Sequence, residues 1–221
     1  MNAYVVVDGE DATKKIYQKW IPFVNKQLQK IDYLDQFTQN NFYVFAGRRG
    51  QPGIWNMAEK AVEDVNNIKS IDRLVICVDA EDKSYEEILS EAKRRVEKNE
   101  CRVPIRYVIQ YFCLETWLLG NINLFRKKTR DQELQEYYTK FNIRENDPEN
   151  LPSHKQRSMN RATFAYYYLR AGVRDAHGND KCYSKHNAGI AQEEIFFNRV
   201  RDRCAKKRHI QSFNDFLNAF A

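Results

Sequence analysis

The chain has 221 residues, of which 43% are hydrophobic and 30% are charged, and its formal net charge is +6. This composition excludes a disordered or collagen-like chain, because there is ample apolar surface to bury and there are only 8 glycines and 5 prolines. No apolar run approaches the ~18 residues that a membrane span needs, and the first ten residues lack the regions of a signal peptide, so we expect no contact with a membrane.

The first half of the sequence alternates between predicted strands and predicted helices. Short runs rich in β-branched and aromatic residues predict strands at residues 4–7, 41–46, 73–78 and 104–110. Apolar residues at helical spacing follow each strand and predict helices over 12–31, 55–65, 84–98 and 114–119. Pro22 is expected to kink or split the first helix. Strands separated by helices predict a mostly parallel sheet flanked by helices, an α/β fold.

The second half contains no further strand signal. Helices are predicted near residues 130–140, 157–171, 189–204 and 211–219, and polar loops over 142–155 and 172–188. We therefore expect an α/β domain over 1–122 and a helical, basic region over 123–221 packed on it. The five cysteines, an odd number with no Cys-x-x-Cys pair, predict reduced thiols and a cytoplasmic location.

Acidic residues follow three of the predicted strands, where each strand ends. They are Asp8 and Glu10 after the first strand, Asp79, Glu81 and Asp82 after the third, and Glu115 after the fourth. The carboxyl ends of parallel strands meet at one edge of a sheet, which is where such sheets bind ligands. Clustered carboxylates need a neutralising partner, and oxygen ligands without His or Cys suit Mg²⁺ or Mn²⁺.

Each of these acids also has an ordinary structural interpretation. Asp and Gly are common turn residues after a strand, and Asp or Ser commonly precedes a helix as its N-cap. The order of all three acidic strand ends along one chain favours a metal site over three independent turns.

At these residues the sequence resembles the TOPRIM fold of topoisomerases, primases, OLD-family nucleases and RloB-like proteins. The segment VVVDGEDA at 5–12 is similar to the first TOPRIM motif, and VICVDAEDKS at 75–84 is similar to the Asp-x-Asp motif. The segment IQYFCLETWLLGN at 109–121 resembles the Glu-x-Trp-Leu-Leu element of RloB-like proteins from bacterial defence loci, and KKRHIQSFNDFL at 206–217 resembles their C-terminal ending. The family's catalytic Glu falls on Asp8 and its second Asp falls on Glu81.

The resemblance implies metal-dependent cleavage of phosphodiester bonds in nucleic acid, with Mg²⁺ or Mn²⁺ as cofactor. It assigns Asp8 or Glu10 as general base or metal ligand, Asp79 and Glu81 (with Asp82 beside them) as metal ligands, and Glu115 as a further ligand or the partner of a basic group. It also implies a role in anti-phage defence and an ABC-type ATPase as partner. A second copy of the chain is a further candidate partner.

Basic residues supply candidate contacts to a nucleic-acid backbone. Residues 151–221 hold 13 Lys and Arg against 6 Asp and Glu, whereas the first 150 residues are nearly neutral. The candidates are Arg48 and Arg49 in a Gly-rich loop, Lys185 and His186 in a polar loop, and Arg203, Lys206 and Lys207 in a basic helix. Each of these segments is equally typical of a solvated surface.

Two other classes of protein remain open on the sequence alone. The first is a catalytically inactive TOPRIM-like module that binds nucleic acid or a partner ATPase, which the departures at Asp8 and Glu81 favour. The second is a receiver-like protein that handles phosphate, but such a protein needs a lysine at a strand end, and none follows the fourth strand.

Overall fold

A computed structural model describes residues 1–9, 11–47 and 50–221 of the chain. Its sheet has five strands, all parallel, in the order β2-β3-β1-β4-β5. The strands are β1 (Ala3–Asp8), β2 (Gln29–Ile31), β3 (Asn41–Gly47), β4 (Arg73–Asp79) and β5 (Ile105–Gln110). The predicted α/β class with a parallel sheet is confirmed, and the arrangement is consistent with a Rossmann-like fold.

Helices flank the sheet and make up most of the chain beyond it. They are α1 (Asp11–Val24), α2 (Gly50–Asn67), α3 (Tyr85–Val96), α4 (Leu114–Leu118), α5 (Gln132–Lys140), α6 (Arg161–His177), α7 (Glu194–Lys207) and α8 (Phe213–Phe220). The predicted helical C-terminal region is confirmed. None of the described helices is both long enough and apolar enough to cross a membrane.

The first helix is shorter than its apolar pattern predicted. Pro22 lies in its last turn, and α1 ends at Val24. Leu28 is buried just beyond the helix, and the chain then forms β2, in which Ile31 pairs with Tyr43 of β3. A strand of three residues is too short to show a recognisable alternation of polar and apolar side chains, so the apolar pattern of the preceding helix predicts helix across it.

The predicted loop over 172–188 is partly wrong, because α6 continues as far as His177. Gly172 and Val173 are buried among the neighbouring helices, so tertiary packing outweighs the polar composition of this stretch. One short 3₁₀ turn occupies Asn179–Lys181 of the remaining segment, and another occupies Pro148–Asn150 of the 142–155 loop.

The two faces of the sheet are buried under different helices. Side chains alternate along each strand, so Val6 and Ile76 pack with α2 and α3, whereas Val5 and Cys77 pack with α1 and the helices of the C-terminal region. The second cluster is rich in aromatic rings around Trp20, whose indole Nε1 donates a hydrogen bond to the Ala191 carbonyl at 2.8 Å. The C-terminal region is thus part of the core that covers one face of the sheet.

The strand order reverses at β1, and this determines where a ligand crevice can form. β3 lies on one side of β1 and β4 lies on the other. The helices after β1 and β4 pack on opposite faces of the sheet, because α1 belongs to one core cluster and α3 to the other. In open α/β sheets, ligands bind outside the carboxyl ends of the strands at such a reversal point. The ends of β1 and β4 carry Asp8 and Asp79.

We expect Gly172→Ala to destabilise the protein. A Cβ atom at this position would lie 2.4 Å from Cε1 of Phe125, whose side chain is fully buried and has no room to move. Replacing a helical glycine with alanine normally stabilises by up to about 1 kcal/mol, whereas overpacking a core costs roughly 1–3 kcal/mol. Urea unfolding measures the balance, and a variant as stable as the native chain would contradict this packing.

Candidate active site at the carboxyl edge of the sheet

The ends of β4 and β5, each followed by predicted acidic residues, lie beside each other on the sheet. Asp79 is the last residue of β4 and is in register with Gln110, the last residue of β5. Residues in register on parallel strands point to the same face. Because Cys77 and Val108 belong to the core under the C-terminal region, Asp79 and Gln110 face that region too.

The loops that follow β4 and β5 are hydrogen-bonded to each other. The backbone N–H of Ala80 donates to the Gln110 carbonyl at 2.9 Å, and that of Glu81 donates to the Phe112 carbonyl at 2.8 Å. Glu81 and Phe112 have φ angles of +52° and +74°, a region that residues other than glycine rarely adopt. Such strained positions cluster at functional sites, where the surrounding structure holds them in place.

Glu115 is brought to the same edge by the first turn of α4. Its side chain is fully buried, and its Oε1 accepts hydrogen bonds from the Tyr183 hydroxyl at 2.9 Å and the Lys185 ammonium at 2.6 Å. Both donors come from about 70 residues further along the chain. The predicted basic partner of Glu115 is therefore Lys185.

Lys185 is positioned by a tight turn over residues 183–187, called here the Lys185 turn. Ser184 and Asn187 exchange backbone hydrogen bonds across it, at 2.9 and 3.1 Å. The Lys185 carbonyl accepts a hydrogen bond from the backbone N–H of Ala12, in the first turn of α1, at 3.2 Å. His186 Nδ1 lies 2.9 Å from Asp11 Oδ2 on the surface. The turn is thus anchored beside the end of β1.

The half-buried Asp79 and the fully buried Glu115 have opposite pKa shifts. Burial, together with the neighbouring carboxylates of Glu115, Asp8 and Glu81, raises the pKa of Asp79 well above its usual range, and Lys185 only partly opposes the rise. Burial would also raise the pKa of Glu115, but the contact with Lys185 holds it below its usual range. Pairs of acids with divergent pKa values are typical of sites that perform acid–base or metal chemistry.

Three buried polar atoms at this edge have no hydrogen-bond partner within residues 1–9, 11–47 and 50–221. They are Asp79 Oδ1, Glu115 Oε2 and Gln110 Nε2. Each unsatisfied buried polar group destabilises the folded state by roughly 1–3 kcal/mol. Three such groups close together at this edge are therefore unfavourable for the stability of the unliganded protein. Their chemistry, two carboxylate oxygens and one amide donor, suits a bound cation with its water or an oxygen-rich ligand.

The donor set fits Mg²⁺ or Mn²⁺ held by two carboxylates, Asp79 and Glu115, with water in the other positions. Magnesium commonly binds proteins in this way beside phosphate groups. The described residues contain no group of three or more Asp, Glu, His or Cys side chains placed to hold a metal ion. A site with three or more protein ligands is therefore not assembled among them.

Three of the other predicted acids, Asp8, Glu81 and Asp82, lie at or near this edge. Asp8 and Glu81 lie close enough to raise the pKa of Asp79, although Glu81 itself is exposed. Asp82 is also exposed, next to Glu81 on the surface. Glu10, and Arg48 and Arg49 of the Gly-rich loop, lie outside the described residues, so their predicted roles stay predictions.

The prediction that Arg203 is an exposed surface contact to a nucleic-acid backbone is wrong. Its side chain is buried, and its guanidinium donates to the backbone carbonyls of Leu119, Ile143 and Asn146 at 3.2, 2.7 and 2.6 Å. A run of Lys and Arg does not reveal which member turns inward. Lys206 and Lys207 are exposed, and their predicted contact with nucleic acid stays a prediction.

Two residues of the site were missed in the sequence. Tyr183 is not among the predicted site residues, although it lies two positions before Lys185 in the same turn. Its hydroxyl donates a hydrogen bond to Glu115. The strand pattern predicts Gln110 only as the end of a strand, although a polar side chain at the end of a buried strand is itself a signal of a ligand edge.

Comparisons with known proteins identify no relative of this chain. No family profile, no curated protein and no solved structure matches it. The geometry of the site alone therefore bears on its function.

We expect Asp79→Asn to stabilise the metal-free protein near neutral pH. A carboxyl whose pKa is raised on folding opposes folding once pH exceeds its unfolded value of about 3.9. The amide removes this penalty, so the gain in stability appears as pH rises above about 4 and is present at pH 7. Thermal unfolding in EDTA measures it, with the exposed Asp35→Asn as control. A lower midpoint at pH 7 than that of the native chain would contradict the raised pKa.

We expect Lys185→Met to destabilise the metal-free protein by roughly 1–3 kcal/mol at pH 8, because it leaves Glu115 buried without its cation. Fully buried pairs cost more, but the Lys185 side chain is 54% exposed and its charge is partly screened by solvent. The lowered pKa of Glu115 provides stability that is present above about pH 4.3 and lost as pH falls. Urea unfolding should therefore show a smaller loss at pH 4 than at pH 8, and an equal loss at both would refute the role of the charge.

Proposed function

We propose that this protein is a metal-dependent nuclease that hydrolyses phosphodiester bonds at the carboxyl edge of its sheet. The observation that carries the proposal is the pair of buried carboxylate oxygens without partners, Asp79 Oδ1 and Glu115 Oε2. They lie at the carboxyl edge of the sheet, beside the strand-order reversal at β1, and such edges are where α/β sheets bind ligands. A metal ion held there supplies an activated water and neutralises charge on the phosphate.

In this proposal Asp79 and Glu115 would hold the ion, and Asp8 or Glu10 would accept a proton from the attacking water. Asp8 lies at the adjacent strand end, and its negative charge contributes to the raised pKa of Asp79. Glu81 is exposed and is not one of these two ligands, so its predicted role as a metal ligand stays a prediction. Gln110, whose buried Nε2 has no acceptor in the described part of the chain, donates a hydrogen bond to a water or phosphate oxygen in the site.

Lys185 has two tasks in the proposed reaction. Its ammonium neutralises Glu115 before substrate arrives. Its partial exposure also allows the same group to contact a phosphate oxygen of the substrate. The exposed Lys206 and Lys207 contribute long-range attraction for a nucleic-acid backbone, which is sensitive to salt.

A second candidate function is a non-catalytic module that binds nucleic acid. The ion pair between Glu115 and Lys185 favours it, because an ammonium already supplies charge that a metal would otherwise supply. The ATPase partner and the role in phage defence depend on the family resemblance and stay predictions.

Incubation with a panel of duplex DNA, single-stranded DNA, tRNA and other RNA, with and without millimolar Mg²⁺ or Mn²⁺, tests the proposal. We expect metal-dependent cleavage. Asp79→Asn and Glu115→Gln should each reduce it by more than the roughly 10–100-fold typical of residues that merely support a metal ligand. Asp35→Asn should cleave like the native chain.

Because Asp79→Asn is expected to be at least as stable as the native protein, loss of cleavage in it would not reflect unfolding. Cleavage that persists at the native rate in both variants would show that another site performs the reaction. Absence of cleavage, together with a thermal midpoint that does not change with Mg²⁺ or Mn²⁺, would favour the non-catalytic module.

A further inference from the structure

A second pocket lies away from the acidic edge, against the C-terminal half of α7. Its volume is about 550 Å³, within the range of roughly 300–1,000 Å³ that is typical of small-molecule sites. Five Lys and Arg residues and one histidine line it: Arg144, Arg199, Arg203, Lys206, Lys207 and His209. Two carboxylates, Glu145 and Asp202, also line it, and Asp202 is paired with Lys206 at 2.7 Å.

Arg203 gives the pocket a buried positive charge. Backbone carbonyls of Leu119, Ile143 and Asn146 accept its hydrogen bonds, and no carboxylate of the described chain does. Burial lowers the pKa of Arg203 to about 10, with the charge of Asp147 acting in the opposite direction, so the group remains a cation at neutral pH. Carbonyl dipoles satisfy its donors but do not cancel its net charge, which therefore favours an anion nearby.

His209 presents a hydrogen-bond donor of fixed tautomer beside this charge. Its Nδ1 lies 3.2 Å from Nε of Arg203, and because a guanidinium only donates, Nδ1 must accept. Burial and the charge of Arg203 lower the pKa of His209, so the ring is neutral at pH 7 and its proton is on Nε2.

Two further cations at the pocket have no carboxylate partner within the described ranges. Arg199 and Lys207 form no ion pair there, in contrast to Lys206. Uncompensated cations around a pocket of this size are typical of sites for phosphate groups, which Arg binds through two parallel hydrogen bonds. Ile122 and Asn123 provide an apolar and an amide contact at the wall, which suit a nucleoside next to the phosphate.

We propose that this pocket binds the phosphate group of a nucleotide, with the nucleoside against residues 122 and 123. The ligand is either a free nucleotide or the 5′-phosphorylated end of a strand, since both present the same chemistry. The proposal does not depend on hydrolysis at the acidic edge, because the lining residues do not include Asp79, Glu115 or the other groups at that edge. Lys206 and Lys207 have a part in the proposed hydrolysis only through their attraction for the nucleic-acid backbone.

Calorimetric titration of the full chain in EDTA tests the proposal, with ATP, AMP, a 5′-phosphorylated oligonucleotide and the same oligonucleotide with a 5′-hydroxyl. We expect binding of the nucleotides, or of the phosphorylated strand in preference to the hydroxyl strand. Arg199→Gln/Lys207→Gln should weaken that binding by about tenfold or more. Lys69→Gln/Lys98→Gln, which removes two exposed charges outside the pocket, should leave it unchanged.

Arg203 itself is left intact, because its replacement would disturb the buried carbonyls it joins. No binding by any of the four ligands would overturn the proposal. The proposal would also be overturned if both oligonucleotides bound equally and the nucleotides did not bind. Equal weakening of binding by the two double variants would overturn it as well. Either result would indicate attraction to charge alone. Asp79→Asn should bind like the native chain, so the outcome is separate from that of the nuclease proposal.

Discussion

The ion pair between Glu115 and Lys185 is the interaction on which the site depends. A fully buried carboxylate is stable only with a charged partner, and the partner here comes from a turn 70 residues away. To reach Glu115, the Lys185 turn must dock against the first turn of α1, which it does through the hydrogen bond from Ala12. The C-terminal region therefore both covers the sheet and completes the site, because one of its charges neutralises the acidic edge.

Helix α4 connects the two candidate sites. Its first turn holds Glu115 at the acidic edge, and the carbonyl of Leu119 just beyond its last turn accepts a hydrogen bond from Arg203 at the basic pocket. The helix is only five residues long, and Gly120 follows it where a Cβ atom would lie 2.7 Å from the side chain of Ile210. The residues through which α4 contacts the acidic edge and the basic pocket, Glu115 and Leu119, are therefore little more than one helical turn apart.

The parallel sheet could be predicted from the sequence because four of its strands are mostly apolar runs of six or seven residues, separated by helical patterns. The three-residue β2 could not, because too few residues show the alternation. The extension of α6 to His177 was missed for a related reason, since its polar surface outweighs the few buried residues that keep it helical. The run of basic residues predicts Arg203 as a surface group, but it is buried. A run of charged residues does not show which of its members is buried.

The sequence by itself determined the class of fold and the position of acids at three strand ends, since both follow from local patterns and from the geometry of parallel strands. Tertiary structure alone decided that Lys185 and Tyr183 meet Glu115, that Asp79 and Gln110 share a face, and that Arg203 turns inward. These contacts join residues far apart in the chain, and no local pattern encodes which distant side chain will satisfy a buried charge.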